Sequence, residues 1–138
     1  MSRIPRAQEH LKTGFTAEAV TAARYRAFAA HAERDGRPHL AAHWRRLAEE
    51  KDRLAVTQLE AAGQVRGAGA DLGAAIAEER YENEVLYPKM EREVDGDTAG
   101  VFAAVVAAQR EHFDRLLALR DRFTAAGGDV EPPGADRK

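Results

Sequence analysis

The chain has 138 residues, 44% hydrophobic and 32% charged, and its 21 basic and 23 acidic side chains leave a formal charge of −2. That length suits one ordinary domain with a real core, and charge spread without a basic block excludes a nucleic-acid surface. The absence of cysteine excludes disulfides, thiolate zinc sites and iron–sulfur centres, and no apolar run of signal-peptide or membrane-span length occurs, so a soluble cytoplasmic protein is expected.

Ala, Arg, Glu and Leu dominate and β-branched residues are sparse, which favours helix over sheet. Apolar residues recur at steps of three and four in four stretches, punctuated at Gly36, Gly63 to Gly69 and Gly96. The first predicted helix covers 6–35, with Phe15, Ala22, Tyr25, Ala29 and Ala32 inward, and stops at Gly36. A second covers 38–62, opening on Pro38 and turning Leu40, Trp44, Leu47, Leu54 and Ala61 inward. The third, 70–94, runs on Leu72, Ile76, Leu86, Met90 and Val94, and Pro88 predicts a kink within it. The fourth, 98–126, has Asp97 as its expected N-cap and Phe102, Val105, Val106, Phe113, Leu116 and Phe123 inward. Residues 1–126 therefore read as one helical bundle, and 127–138, GGDVEPPGADRK, as a disordered tail.

Each helix carries acidic or metal-ligating residues where its stripe calls for apolar ones. Glu18 falls between Phe15 and Ala22, and Glu50 between Leu47 and Leu54. Glu79 and Glu82 are three apart behind Ile76, and Gln109 and His112 are three apart between Val105 and Leu116. All lie near mid-helix, so aligned helices would bring four carboxylates, an amide and an imidazole to one height. Carboxylates gathered in a low-dielectric core need cations or protons, and a bound metal is one solution that helix bundles use.

These segments resemble the rubrerythrin family of di-iron proteins over about residues 11 to 119. FTAEAVTAARYRAFAAHAERDG is similar to the family's first helix, with Glu18 as the ligand, Tyr25 seven residues on, and Arg24 before it. EERYENEVLYPKM resembles the third helix, with Glu79 and Glu82 as ligands followed by Tyr87 and Pro88. The resemblance implies a ferritin-like four-helix bundle with a metal centre, without the iron–sulfur donor domain that usually accompanies it, and so with no identified electron donor. Its second and fourth helices would each carry Glu-x-x-His; here EKDR keeps Glu50 but has Arg53 at the histidine position, and QREH keeps His112 but has Gln109 at the bridging glutamate.

Those departures predict a reduced metal load. The family's five glutamates and two divalent ions sum to −1, whereas four glutamates and Arg53 sum to −3 without metal and to −1 with one divalent ion. Arg53 stays charged in any protein and reads as a substitute for one metal. The expectation is one divalent ion, iron foremost and manganese or zinc as alternatives, on Glu79, Glu82 and His112 with Glu50 or Glu18 in reach. Two other readings stand beside it: a metal-free, non-catalytic helical dimer in which Arg53 pairs with the glutamates, and a di-iron peroxidase, an oxidoreductase, with Gln109 as an unusual ligand.

In a ferritin-like bundle the second and third helices run parallel, so the link between them must climb back roughly 30 Å, about the full stretch of the eight residues from Gly63 to Ala70. That predicts a homodimer in which helices one and two pair with three and four of a second chain, a domain exchange. His39 and His43, four apart, read as ordinary surface or packing histidines; Tyr25 and Tyr87, one to two turns from the glutamates, read either as second-layer groups that hydrogen-bond or shuttle electrons, as the resemblance implies, or as buried tyrosines that need a polar partner.

Overall fold

The structure, a computed structural model, describes residues 6–132. Four long helical rods carry the chain, and no strand occurs among the described residues. They form two compact units with a boundary between Val65 and Arg66.

The first unit is an antiparallel pair, α1 (Arg6–Arg34) and α2 (Pro38–Ala61). Gly36 makes the turn at φ +75°, a backbone state that costs a residue without Cβ little. The Arg37 N–H closes the end of α1 on the Ala32 carbonyl at 2.8 Å, and Pro38 opens α2 where no N–H is needed.

The seam of this pair is alanine. Ala22, Ala29 and Ala32 meet Ala41, Ala48, Ala55 and Ala62, all at 6% exposure or less. Ala41, Ala48 and Ala55 of α2 and its C-cap Ala62 recur every seven residues, the repeat that keeps one stripe against a neighbouring helix. Small side chains admit close backbone approach, and Trp44 covers one end of the seam. Leu40, Leu47 and Leu54, expected inward, are instead 42–49% exposed. Each precedes a seam alanine by one residue and so lies about 100° round the helix. Leucine in the seam would hold the helices apart; alanine wins the inner position and the leucine stripe faces outward.

The second unit contains α3 (Ala68–Tyr81), a π-helical turn (Glu82–Leu86), α4 (Tyr87–Arg92) and α5 (Gly96–Ala126). Asp71 reaches back to the N–H groups of Arg66 and Gly67 at 2.9 and 3.4 Å and secures the start of α3. The expected disturbance at Pro88 takes the form of the π turn: the Tyr87 N–H bonds to the Glu82 carbonyl, five residues back. Pro88 has no N–H to give and its ring would press on the carbonyl four residues earlier, so a widened turn before it relieves both problems. α5 begins at Gly96, one residue before the expected cap Asp97, which lies in its first turn.

Ile76 and Val106 are buried between α3 and α5, and the Arg80 guanidinium lies over the Phe113 ring, 5.2 Å from its centroid. Gly127, at φ +79°, ends α5. Beyond it Val130 is half-buried, and Arg122 donates to the Glu131 carbonyl at 3.4 Å. The rest of the segment expected to be disordered, 133–138, lies outside the described residues, as does the N-terminal stretch before residue 6.

Candidate metal centre

In the first unit Glu18 is on the α1 face that meets α2, half-buried, one turn before Ala22. The cation beside it is Lys51, with Nζ 2.9 Å from Oε1, both side chains 25–30% exposed. The hydrogen bond to Glu18, then its charge, holds the Lys51 ammonium above the usual lysine range. Arg53, expected near the glutamates, is exposed. The helix explains the exchange: Lys51 is about 60° from the seam residue Ala48, Arg53 about 140° from it. Glu50, expected inward, is also exposed, 3.6 Å from Arg46 one turn earlier on the same surface. Tyr25 packs at a tilt on Trp44, ring centroids 5.0 Å apart.

In the second unit two of the expected residues meet. The Gln109 amide donates a short hydrogen bond to Glu82 Oε1, joining α5 to the first residue of the π turn. Asn83 ties the same elements through its amide group, which donates to the Glu79 carbonyl at 2.8 Å and the Gln109 carbonyl at 3.1 Å. Two oxygens beside this lattice, Glu79 Oε2 and Asn83 Oδ1, are buried with no hydrogen-bond partner. Both are acceptors, so this patch lacks donors. An unmet buried acceptor costs on the order of 1–3 kcal/mol, more for a charged one, and a cation is one way to relieve it.

His112, one turn beyond Gln109, is exposed and borders a groove of about 590 Å³ along α5, with Leu116, Leu119 and the Val130–Pro132 segment. Tyr87 stands at the end of the π turn, its ring 6.1 Å from that of Phe102. Among the described residues no three acidic or imidazole side chains gather about one point. Glu79, Glu82 and Gln109 are held in one lattice, and His112 would have to turn inward to join them.

Two residues, one in each unit, escaped the sequence reading. Asn83 is seven residues after the buried Ile76, and Lys51 three after the buried Ala48; each sits on a seam face. The signal was present in the periodicity of the buried positions, not in the carboxylate pattern. The chain matches no family model, and no curated protein matches it either.

Proposed function

We propose that this is a rubrerythrin-like helical protein whose metal site is reduced to one divalent ion, iron first and manganese or zinc as alternatives, in the second unit. The observation that carries this reading is the buried Glu79 Oε2 with no donor, next to Asn83 Oδ1 in the same state. Glu79 and Glu82 would supply the carboxylates, His112 an imidazole after rotation, and Gln109 a neutral oxygen once its amide releases Glu82. Such an oxygen and nitrogen set suits all three metals. The ion would act there as a Lewis acid and, if iron or manganese, as a one-electron redox centre, the link to peroxide or iron handling that the resemblance implies. The residues of the second unit fit a second ion poorly, because the bridging position is a neutral amide bonded to Glu82.

The test is metal analysis of protein grown with iron, manganese and zinc, alongside Glu79→Gln. About one ion per chain, lost in the variant, is the expected result. No stoichiometric metal in the parent would sink the proposal. Such an outcome would favour a second reading that also rests on an observation: Lys51 and Gln109 already give Glu18 and Glu82 the donors that metals would provide, as in a metal-free helical dimer. Gln109→Glu would then create binding that the parent lacks.

A further inference from the structure

We infer that the groove along the C-terminal half of α5 binds a small amphipathic carboxylate, a medium-chain fatty acid, with its alkyl chain on the apolar floor and its head on a rim of guanidinium groups. The residues that line the groove all belong to the second unit, and the inference does not rest on the metal reading.

The sequence builds this groove from a helix and the chain that follows it. Gly127 and Gly128, at φ +79° and +127°, hold two successive backbone states that a Cβ would disfavour. The Gly128 N–H closes on the Phe123 carbonyl at 3.3 Å, and the chain turns back along α5. Val130 and Pro132 then line the same space as Leu116 and Leu119, a groove of about 590 Å³. Val130 is half-buried, Arg122 donates to the Glu131 carbonyl at 3.4 Å, and Pro132 has little backbone freedom to lose. The volume lies within the range of about 300–1,000 Å³ that small-molecule sites occupy.

The floor and the rim differ in chemistry. Leu116 and Leu119 are about 60° apart around the helix, and with Val130 and Pro132 they present no polar side-chain atom. Arg115 and Arg122 are seven residues apart, so they fall within about 20° of one another and about 10 Å apart along the axis. Ala118 lies between them and adds no bulk to that edge.

Both guanidinium groups have donors to spare. Arg115 is 3.7 Å from Glu111, longer than a hydrogen bond, and the two side chains are 67% and 71% exposed; such a pair contributes little. Arg122 gives a single long bond to the Glu131 carbonyl, out of the five N–H groups that a guanidinium carries. With His112 neutral, two arginines against the one lining carboxylate, Glu131, leave a charge of +1 in the groove wall. That balance suits a monoanion, and a planar carboxylate matches the guanidinium fork. An inorganic anion would leave the leucine floor unused, and a neutral hydrocarbon would leave the arginines unused.

Calorimetric titration of the full chain with decanoate, in chelator, tests this. About one decanoate per chain is expected, with octanoate weaker by up to about fourfold for each methylene removed. Decanol, with the same chain and a neutral head, should bind about tenfold more weakly. The double variant Arg115→Gln, Arg122→Gln should keep its helical circular dichroism and bind decanoate no better than decanol. Leu119→Gln should weaken both ligands, and Leu47→Gln, on the exposed stripe of α2, should weaken neither. No decanoate binding, equal binding of decanol by the parent, or a double variant that still prefers decanoate would each overturn the inference. So would a loss confined to Leu47→Gln, which would put the amphiphile on α2, or a dimer by sedimentation velocity that excludes decanoate, which would give the groove to a second copy.

Discussion

Replacing the Gln109 amide with a carboxylate, Gln109→Glu, tests the candidate site from both sides. In the parent the amide donates to Glu82 Oε1, and Glu79 Oε2 already lacks a donor. The substitution keeps size and shape but removes the donor and adds a like charge to a patch that has none to spare. A hydrogen bond to a charged group contributes about 1.5–3 kcal/mol, so metal-free protein should lose about 2 kcal/mol from the second unit. For a cooperative unit of this size that is a fall of about 10 °C in Tm. Circular dichroism melts in chelator measure it. Adding iron, manganese or zinc should reverse the loss, because an ion at a hundred times its Kd contributes about 2.7 kcal/mol to the folded state. A variant that melts with the parent in chelator would refute the role given to the Glu82–Gln109 bond. One that falls as expected but ignores all three metals would refute the claim that these side chains form a cation site.

Three further outcomes follow from the fold and its ion pairs. Ala48→Leu puts a branched side chain into a seam position that is 2% exposed, and overpacking should cost about 1–3 kcal/mol in a denaturant titration. Gly73→Ala, in α3 with open space where the new methyl would stand, should add about 0.5–1 kcal/mol by the same assay. Lys51→Met should lower Tm by an amount that depends on pH. Because Glu18 raises the folded ammonium above its ordinary pKa of 10.5, the contribution is whole below 10.5 and fades as pH climbs through the raised folded value. The gap in Tm between parent and variant should be constant from neutral pH to about 10 and narrow above that; a gap that closes below pH 9 would contradict the pairing.

The periodicity of apolar residues gave the four rods nearly to the residue, because glycine and proline mark their ends and those marks act locally. Which stripe forms the seam was less legible. Hydrophobicity ranks Leu40, Leu47 and Leu54 above Ala41, Ala48 and Ala55, but close helix approach ranks them the other way, and only a seven-residue alanine repeat signals that preference. The same ambiguity hid Lys51. Arg53 is expected beside the glutamates from its place at the histidine position of the resemblance, which says nothing of helix face; with the alanine stripe inward, Lys51 is the cation that reaches Glu18. In the second unit Glu82 meets Gln109 because both lie within two turns of the buried Ile76 and Val106. The π turn was foreshadowed only as a kink, since Pro88 fixes where the ladder must yield but not how.

The metal load can now be argued from donors instead of a charge sum. Four glutamates were assigned to one centre, and the structure distinguishes them by what each already holds. Glu18 has an ammonium at 2.9 Å, Glu82 has an amide, and Glu50 has a guanidinium at 3.6 Å on an exposed surface. An ion approaching any of these must first displace a protein donor, and the cost of separating that pair is subtracted from its binding energy. Glu79 Oε2 has no donor to displace. Binding should therefore begin at Glu79 and recruit Glu82 only by breaking its bond to Gln109, which makes the first ion weaker than in an unopposed carboxylate cage. On that reasoning Glu79→Gln should abolish binding of the first ion, whereas Glu82→Gln should weaken it only in part, because that carboxylate is recruited at the cost of its bond to Gln109. A reversal of those two effects in metal titrations of the two variants would place the first contact at Glu82 instead of Glu79.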